Sequence, residues 1–270
     1  MGVGKNDWIL KTPIAHRGLH DGDIPENSMA AFEAAVAACY PIEIDVQLTK
    51  DKVPVVFHDD ILTRMTGLKK RVTHVKFDRL MKLSLGRTNM KIPTLREFLD
   101  FIDGRVPILV EVKKNRGSKG IEQIVMDMLK EYQGEFAIQS FNPIAIRKVR
   151  KLAPDVYCGL LSSKLSDMRM FFLSKAAVKN ARLFFIAKPD FVSFEISSFP
   201  NDRVARFREE QQLPIIGWTI RTKDDIERAC TYCDGIIFEN LENLKSYIKT
   251  IGDSNTILGQ VALPKIAEQH

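Results

Sequence analysis

The chain has 270 residues, 45% hydrophobic and 27% charged, with 15 Gly and 12 Pro, a composition that excludes disordered, collagen-like and low-complexity proteins and sets one large domain over 1–270 as the expectation. No apolar run reaches the roughly 18 residues that cross a bilayer; the densest, Leu183-Phe184-Phe185-Ile186-Ala187, is closed by Lys188 and Pro189. The net charge of +6 permits attraction to phosphate-bearing partners, but no nucleic-acid-binding motif accompanies it, so no nucleic-acid partner is expected.

Along the chain, Met1 to Thr12 carries Lys5, Asp7 and Lys11 and lacks the apolar core of a secretory signal. Asn6 stands where a myristoylation signal wants Ser or Thr, and four cysteines are too few for a disulfide scaffold. The expected location is the cytoplasm. Strand-like runs then follow at 13–16, 42–47, 108–113, 136–140, 156–161, 191–195, 215–220 and 235–238. Helical stretches alternate with them, starting near Ser28, Leu95, Lys119, Ile144, Asp167, Asp202, Lys223 and Leu241. Asn27 or Ser28, Thr94, and Thr222 supply cap residues for three of these starts. Eight strand–helix pairs predict a (β/α)8 TIM barrel; an open doubly wound sheet would want a Gly-rich phosphate loop after its first strand, and none follows here.

Two segments break the rhythm. From about 52 to 93 there is an extra strand-like run, 53–58, and then a polar, basic stretch without a long helical pattern. It is read as a small inserted subdomain after the second strand, capping the site. The stretch 162–189 interleaves Met168, Met170, Phe171, Phe172, Phe184 and Phe185 with basic residues; a long barrel helix is the expectation, with a membrane- or acyl-chain-docking surface as the alternative. Cys230 and Cys233 form a CxxC with no second pair and no His cluster nearby in sequence, and are read as structural thiols.

Strand side chains alternate between faces, and that rule sorts the polar residues. Glu43, Asp45 and Gln47 share one face of the second strand, opposite Ile42, Ile44 and Val46; Glu111 and Lys113 share a face of the next. Carboxylates this close cannot all ionise without a cation, and oxygen-only ligation suits Mg²⁺ or Ca²⁺; ion pairing to Arg17 or Lys113 is the competing reading. His16 and His58 each end an apolar run before polar residues and are candidates to move a proton near neutral pH. Arg17 adds a permanently charged fork suited to phosphate.

His16-Arg17-Gly18, Pro25-Glu26-Asn27-Ser28, the run from Glu43 to Asp51 and Val55-Val56-Phe57-His58-Asp59 together resemble the signature of glycerophosphodiester phosphodiesterases. Arg64-Met65-Thr66-Gly67, Ile92-Pro93-Thr94-Leu95, Val110-Glu111-Val112-Lys113, Gln139-Ser140-Phe141, Gly217-Trp218-Thr219 and Asp234-Gly235-Ile236-Ile237 continue the likeness. The resemblance implies a TIM barrel with an insertion after its second strand. It also implies metal-dependent hydrolysis of a small-molecule glycerophosphodiester to glycerol 3-phosphate and an alcohol. Glu43, Asp45 and Glu111 would hold the divalent ion, Mg²⁺ or Ca²⁺; His16 and His58 would be general acid and base, in either order; Arg17 and Lys113 would hold the phosphoryl oxygens. Trp218, and less directly Phe141, would wall the glycerol or head group. Lysophospholipase D-type activity on acylated diesters, or a catalytically inactive barrel that binds phosphodiesters or anionic membranes, are the competing functions. Arg221, Phe238 and Glu239 stand where family members often carry Asn, Thr and Asp.

Overall fold

A computed structural model of the protein describes residues 7–163 and 187–239 apart from 202, 203, 205–207 and 211, together with 242, 244 and 246. The described residues divide into two compact units, one of residues 15–136 and another of residues 7–14 and 137–246.

In the first unit, β2 (Ile42–Leu48) is buried along its whole length, with Ile42, Ile44, Val46 and Leu48 on one face and the polar Glu43, Asp45 and Gln47 on the other. It pairs in parallel with β1 (Ile14–His16) on one side and β4 (Ile108–Val112) on the other. The helices between these strands start where their caps dictate. Ser28 Oγ accepts from Ala31 N at the head of α2 (Met29–Ala37), and Thr94 forms a reciprocal capping box with Glu97 at the head of α5 (Leu95–Ile102). Phe32 of α2 and Phe98 of α5 meet edge to face, centroids 4.6 Å apart, in a core of apolar side chains.

The segment from 52 to 93 departs from the barrel rhythm as expected and is more ordered than its sequence suggests. β3 (Pro54–Val56) returns antiparallel to β2, with Gln47 opposite Val55. Two single-turn helices, α3 (Thr63–Thr66) and α4 (Phe77–Leu80), and a 3₁₀ turn at Val72–His74 follow. Phe57, Leu62, Val72, Leu80, Leu85 and Ile92 close a hydrophobic cluster of their own. Elements this short show no period in the sequence, and packing rather than local propensity holds them. After the insertion, α6 (Ile121–Leu129) completes the unit.

The second unit repeats the parallel pattern. β5 (Phe136–Ser140), β6 (Cys158–Ser162), β7 (Phe191–Glu195), β8 (Ile215–Ile220) and β9 (Gly235–Phe238) pair in parallel, each with the next. α7 (Pro143–Leu152) is capped by Asn142, and α8 (Lys223–Tyr232) by a Thr222–Asp225 capping box. One further helix, α1 (Trp8–Lys11), was not signalled by the sequence; it lies against β9, where a Cβ on Gly235 would sit 2.6 Å from the Ile9 carbonyl oxygen. The sixth strand starts two residues later than its apolar run suggests. The aromatic and methionine-rich run Met168 to Phe185, the helices expected near Asp167 and Leu241 and the start near Asp202 lie outside the described residues. Among the described residues no helix is long and apolar enough to cross a membrane.

Candidate active site

Strand register assembles the acidic cluster. Parallel pairing sets His16 of β1 beside Glu43 of β2, and Asp45 of β2 beside Glu111 of β4; Glu43 and Asp45, two apart, share a face. All three carboxylates are buried, and each offers an oxygen within 4.8 Å of the others.

Cations flank this triad. Lys113 Nζ lies 2.9 Å from Asp45 Oδ1 and 2.7 Å from Glu111 Oε1. Arg17 Nε is 3.3 Å from Asp45 Oδ2, and the Arg17 backbone N–H donates to Glu43 Oε2 at 3.2 Å. Arg17 takes its position from a turn in which it and Gly18 both have positive φ, 58° and 82°. A Cβ at Gly18 would sit 2.8 Å from the Ala31 backbone, so only glycine fits there. Asn27 Nδ2 donates to Asp45 Oδ2 at 2.9 Å, completing that carboxylate's surroundings.

The electrostatics separate the three acids. Burial, together with the neighbouring Asp45 and Glu111 charges, pushes the Glu43 carboxyl well above its usual range. Burial, with Asp45 beside it, raises Glu111 to about 7 against the pull of Lys113. Asp45 moves the other way: burial opposes its charge, but Lys113 and Arg17 hold it well below the usual carboxylate range. Two carboxyls that prefer to keep their protons beside one that is ionised form a site short of positive charge. Three buried oxygens at this spacing fit a hard divalent cation.

The imidazoles fall at the same place. His16 is buried, with Nε2 3.9 Å from Glu43 Oε2, too long for a hydrogen bond. His58, two residues past the end of β3, directs Nδ1 at Asp59 Oδ1, 2.8 Å away. Burial, with Lys113 and Arg17 nearby, holds the His58 imidazole below its ordinary pKa. Both imidazoles act electrostatically on Asp45.

Five further residues, Gln47, Asn115, Arg64, Glu26 and Asp59, fix this arrangement; the motif runs contain Glu26, Asp59 and Arg64, but the sequence gives none of the five a role. Gln47 Nε2 donates to the carbonyls of Phe57, His58 and Asp59 at 2.7, 3.0 and 2.9 Å, and its Oε1 accepts from Asn115 Nδ2; its place on the Glu43–Asp45 face was the available signal. Arg64, on α3, donates to both oxygens of Glu26 at 2.7 and 2.8 Å and to both of Asp59 at 2.7 and 3.1 Å. Glu26 in turn accepts from Arg17 Nη1 at 2.7 Å. A continuous chain of ion pairs therefore runs Asp45–Arg17–Glu26–Arg64–Asp59, and a hydrogen bond carries it on to His58. Hydrogen bonds to Glu26 and then Asp59 raise the Arg64 guanidinium pKa further still, so it stays charged.

The two aromatic candidates belong to the second unit. Phe141 and Trp218 meet edge to face there, centroids 5.8 Å apart. Arg221 and Glu239, two of the unexpected residues on the motif strands, pair with each other through Nε–Oε2 at 2.6 Å and Nη2–Oε1 at 3.2 Å. Cys233 is buried just past the end of α8, which carries Cys230, and neither is in a disulfide.

Comparison with known proteins matches residues 16–243 to the profile of the glycerophosphoryl diester phosphodiesterase family. The chain is 31% identical over 253 residues to a glycerophosphodiester phosphodiesterase from Caldanaerobacter subterraneus, covering 88% of this chain and 98% of the relative. Among solved structures it is similar to a protein from Silicibacter pomeroyi named for the same activity, with a TM-score of 0.76, 21% identity and coverage of 91% of this chain and 98% of that one. It is also similar to a phosphodiesterase from Oleispira antarctica in complex with its product sn-glycerol-3-phosphate, with a TM-score of 0.74, 23% identity and coverage of 88% and 96%. Likeness of this extent shows the fold to be the (β/α)8 barrel expected from the strand–helix alternation.

Proposed function

The chain belongs to the glycerophosphoryl diester phosphodiesterase family of phosphodiester hydrolases, and we propose that it splits a glycerophosphodiester into glycerol 3-phosphate and an alcohol with a divalent ion, Mg²⁺ or Ca²⁺, held by Glu43, Asp45 and Glu111. The observation that carries this reading is the triad of buried carboxylates within 4.8 Å of one another, flanked by two imidazoles and two permanently useful cations. The product-bound Oleispira relative supports the substrate class. When bound, the ion supplies charge neutralisation for the carboxylates and for the phosphoryl oxygens.

The chain's own groups divide the remaining work. Arg17 and Lys113 bind the non-bridging phosphoryl oxygens and oppose the charge that grows on them as the new P–O bond forms. His58 carries its proton on Nδ1, because the Asp59 carboxylate can only accept there. That leaves the Nε2 lone pair to take the proton from the attacking hydroxyl, whether of water or of the adjacent glycerol carbon. His16 returns a proton to the alcohol oxygen as its bond to phosphorus breaks. For Trp218 and Phe141 an aromatic role toward the glycerol or head group rests on the family resemblance alone. The insertion at about 52–93 caps the site, since His58 and Asp59 open it and Arg64 ties it back to Glu26.

Release of phosphate monoester from a panel of soluble and micellar glycerophosphodiesters, with chelator and with each metal restored, tests the reading. Chelation should abolish turnover, one divalent ion should restore it, and His58→Ala and Glu43→Ala should each cost at least about 10²-fold. Turnover indifferent to chelator, or none with any metal, overturns the proposal. Turnover confined to micelles moves the substrate to acylated diesters.

A further inference from the structure

The inserted segment is charged out of proportion to the chain that carries it. Residues 52–93 contain ten Lys and Arg against three Asp and Glu, a net +7, whereas the other 228 residues contain 30 against 31, a net −1. The whole excess positive charge of the protein therefore sits on this one insertion. Two of its three acids are already paired, Asp59 with Arg64 and Asp60 with Arg71. Lys69, Lys70, Lys82 and Arg87 are exposed and form no ion pair among the described residues.

The insertion also carries exposed apolar side chains. Ile61 and Met81 are 46% and 51% exposed, two of the four large hydrophobic side chains exposed among the described residues. They are not spare core residues, because the insertion closes its hydrophobic cluster without them. Ile61 joins Lys69, Lys70, Arg71 and His74 in lining an open groove of about 380 Å³.

A surface whose cations outnumber its acids this far repels itself, and an anionic partner relieves it. Three polyanions could offer one. Free phosphate would use a few cations and leave Ile61 in water. Single-stranded nucleic acid rewards aromatic platforms on which bases stack, and the exposed apolar residues here are Ile and Met. A bilayer with anionic lipids satisfies both features, since aliphatic side chains enter the headgroup–acyl boundary while lysines meet phosphates around them. We infer that the insertion is a membrane-docking surface: Ile61 enters the interface of an anionic bilayer, and Lys69 and Lys70 bind its headgroup phosphates. This surface is separate from the acidic cluster, and the inference does not depend on the reaction assigned there.

Co-sedimentation of the full chain with vesicles of phosphatidylcholine alone, or with phosphatidylglycerol added, tests this. The protein should sediment with the anionic vesicles only and be released at about 1 M salt, where the screening length falls to roughly 3 Å. Each lysine near such a surface contributes about a fivefold change in partitioning, so Lys69→Gln with Lys70→Gln should weaken it by about 30-fold. Ile61→Ser should weaken it further without altering the salt dependence. Turnover of a soluble diester and the thermal midpoint should change little in either variant, which separates lost docking from lost folding. No sedimentation with anionic vesicles, equal sedimentation with neutral ones, or partitioning unchanged by the double substitution overturns the inference. So does competition by millimolar inorganic phosphate or by single-stranded DNA as effective as that of the vesicles.

Discussion

Asp59→Asn offers a sharp test of how His58 is held. In the native site Asp59 Oδ1 accepts from His58 Nδ1–H and from Arg64 Nη2, while Oδ2 accepts from Arg64 Nε. An asparagine has one oxygen for these two positions. With its amide nitrogen at the Oδ2 position, an N–H faces the Arg64 Nε–H; at the Oδ1 position it faces His58 and forces the imidazole to carry its proton on Nε2, where it cannot act as a base. Either way one charge-assisted hydrogen bond of about 1.5–3 kcal/mol is lost. With His58 33% and Asp59 22% exposed, solvent screens part of that. At about 1.4 kcal/mol per power of ten, the loss in kcat/KM should be roughly tenfold to 100-fold. Steady-state kinetics on a soluble diester gives the magnitude, and the ¹⁵N shifts of the His58 ring in metal-free protein give the tautomer. A variant within about threefold of wild type, with the ring still protonated on Nδ1, would refute the argument.

Glu43 and Glu111 hold protons more tightly folded than unfolded, Glu111 up to about 7 from an ordinary 4.5, so the metal-free fold should lose stability as pH rises from about 4.5 to 7. Asp45, held low, contributes the opposite slope only below about pH 4. A divalent ion displaces those protons; the rise in thermal midpoint on adding metal should therefore be larger at about pH 7.5 than at about pH 5, and an equal rise would contradict the assignment. Gly18→Ala places a Cβ against the Ala31 backbone at φ +82° and should destabilise by about 2 kcal/mol or more, read as a lower urea midpoint with unchanged slope. Burial pushes the Cys158 and Cys233 thiols up to about 12; mass spectrometry after iodoacetamide at about pH 8 should find Cys39, which is exposed, alkylated well before either.

What the sequence revealed, and what it withheld, follows from the range of the interactions involved. Glu43 and Asp45 are placed on one face by a two-residue period that any strand obeys, and Glu111 and Lys113 by the same rule. Helix starts at Thr94 and Thr222, and the one at Asn27 or Ser28, were readable because a cap hydrogen bond spans three residues. Strand ends were less legible, as at the sixth strand, whose apolar run begins at Val156. Pairing starts only at Cys158, where the backbone N–H bonds the Asp190 carboxylate 32 residues away. The insertion was legible as an interruption but not as a folded piece, since its single-turn helices depend on a cluster drawn from Val55 to Ile92.

The same argument separates the ligands from the residues that hold them. His16 and Glu43 are neighbours through strand register, and Arg64 meets Glu26 across 38 residues; no spacing in the sequence encodes either meeting. Arg64 also lacks the usual marks of a site residue, being half exposed on a four-residue helix. Its importance follows from geometry: a planar fork reaching two carboxylates, one bonded to Arg17 and the other to His58. A lysine at that position would offer a point charge to one acid at a time. The departures at Arg221 and Glu239 carry the complementary lesson. Taken singly, each residue breaks a motif; together they form a two-point ion pair between the ends of β8 and β9, so the change at one position is answered at the other, on residues to which no ligand or proton-transfer role is assigned.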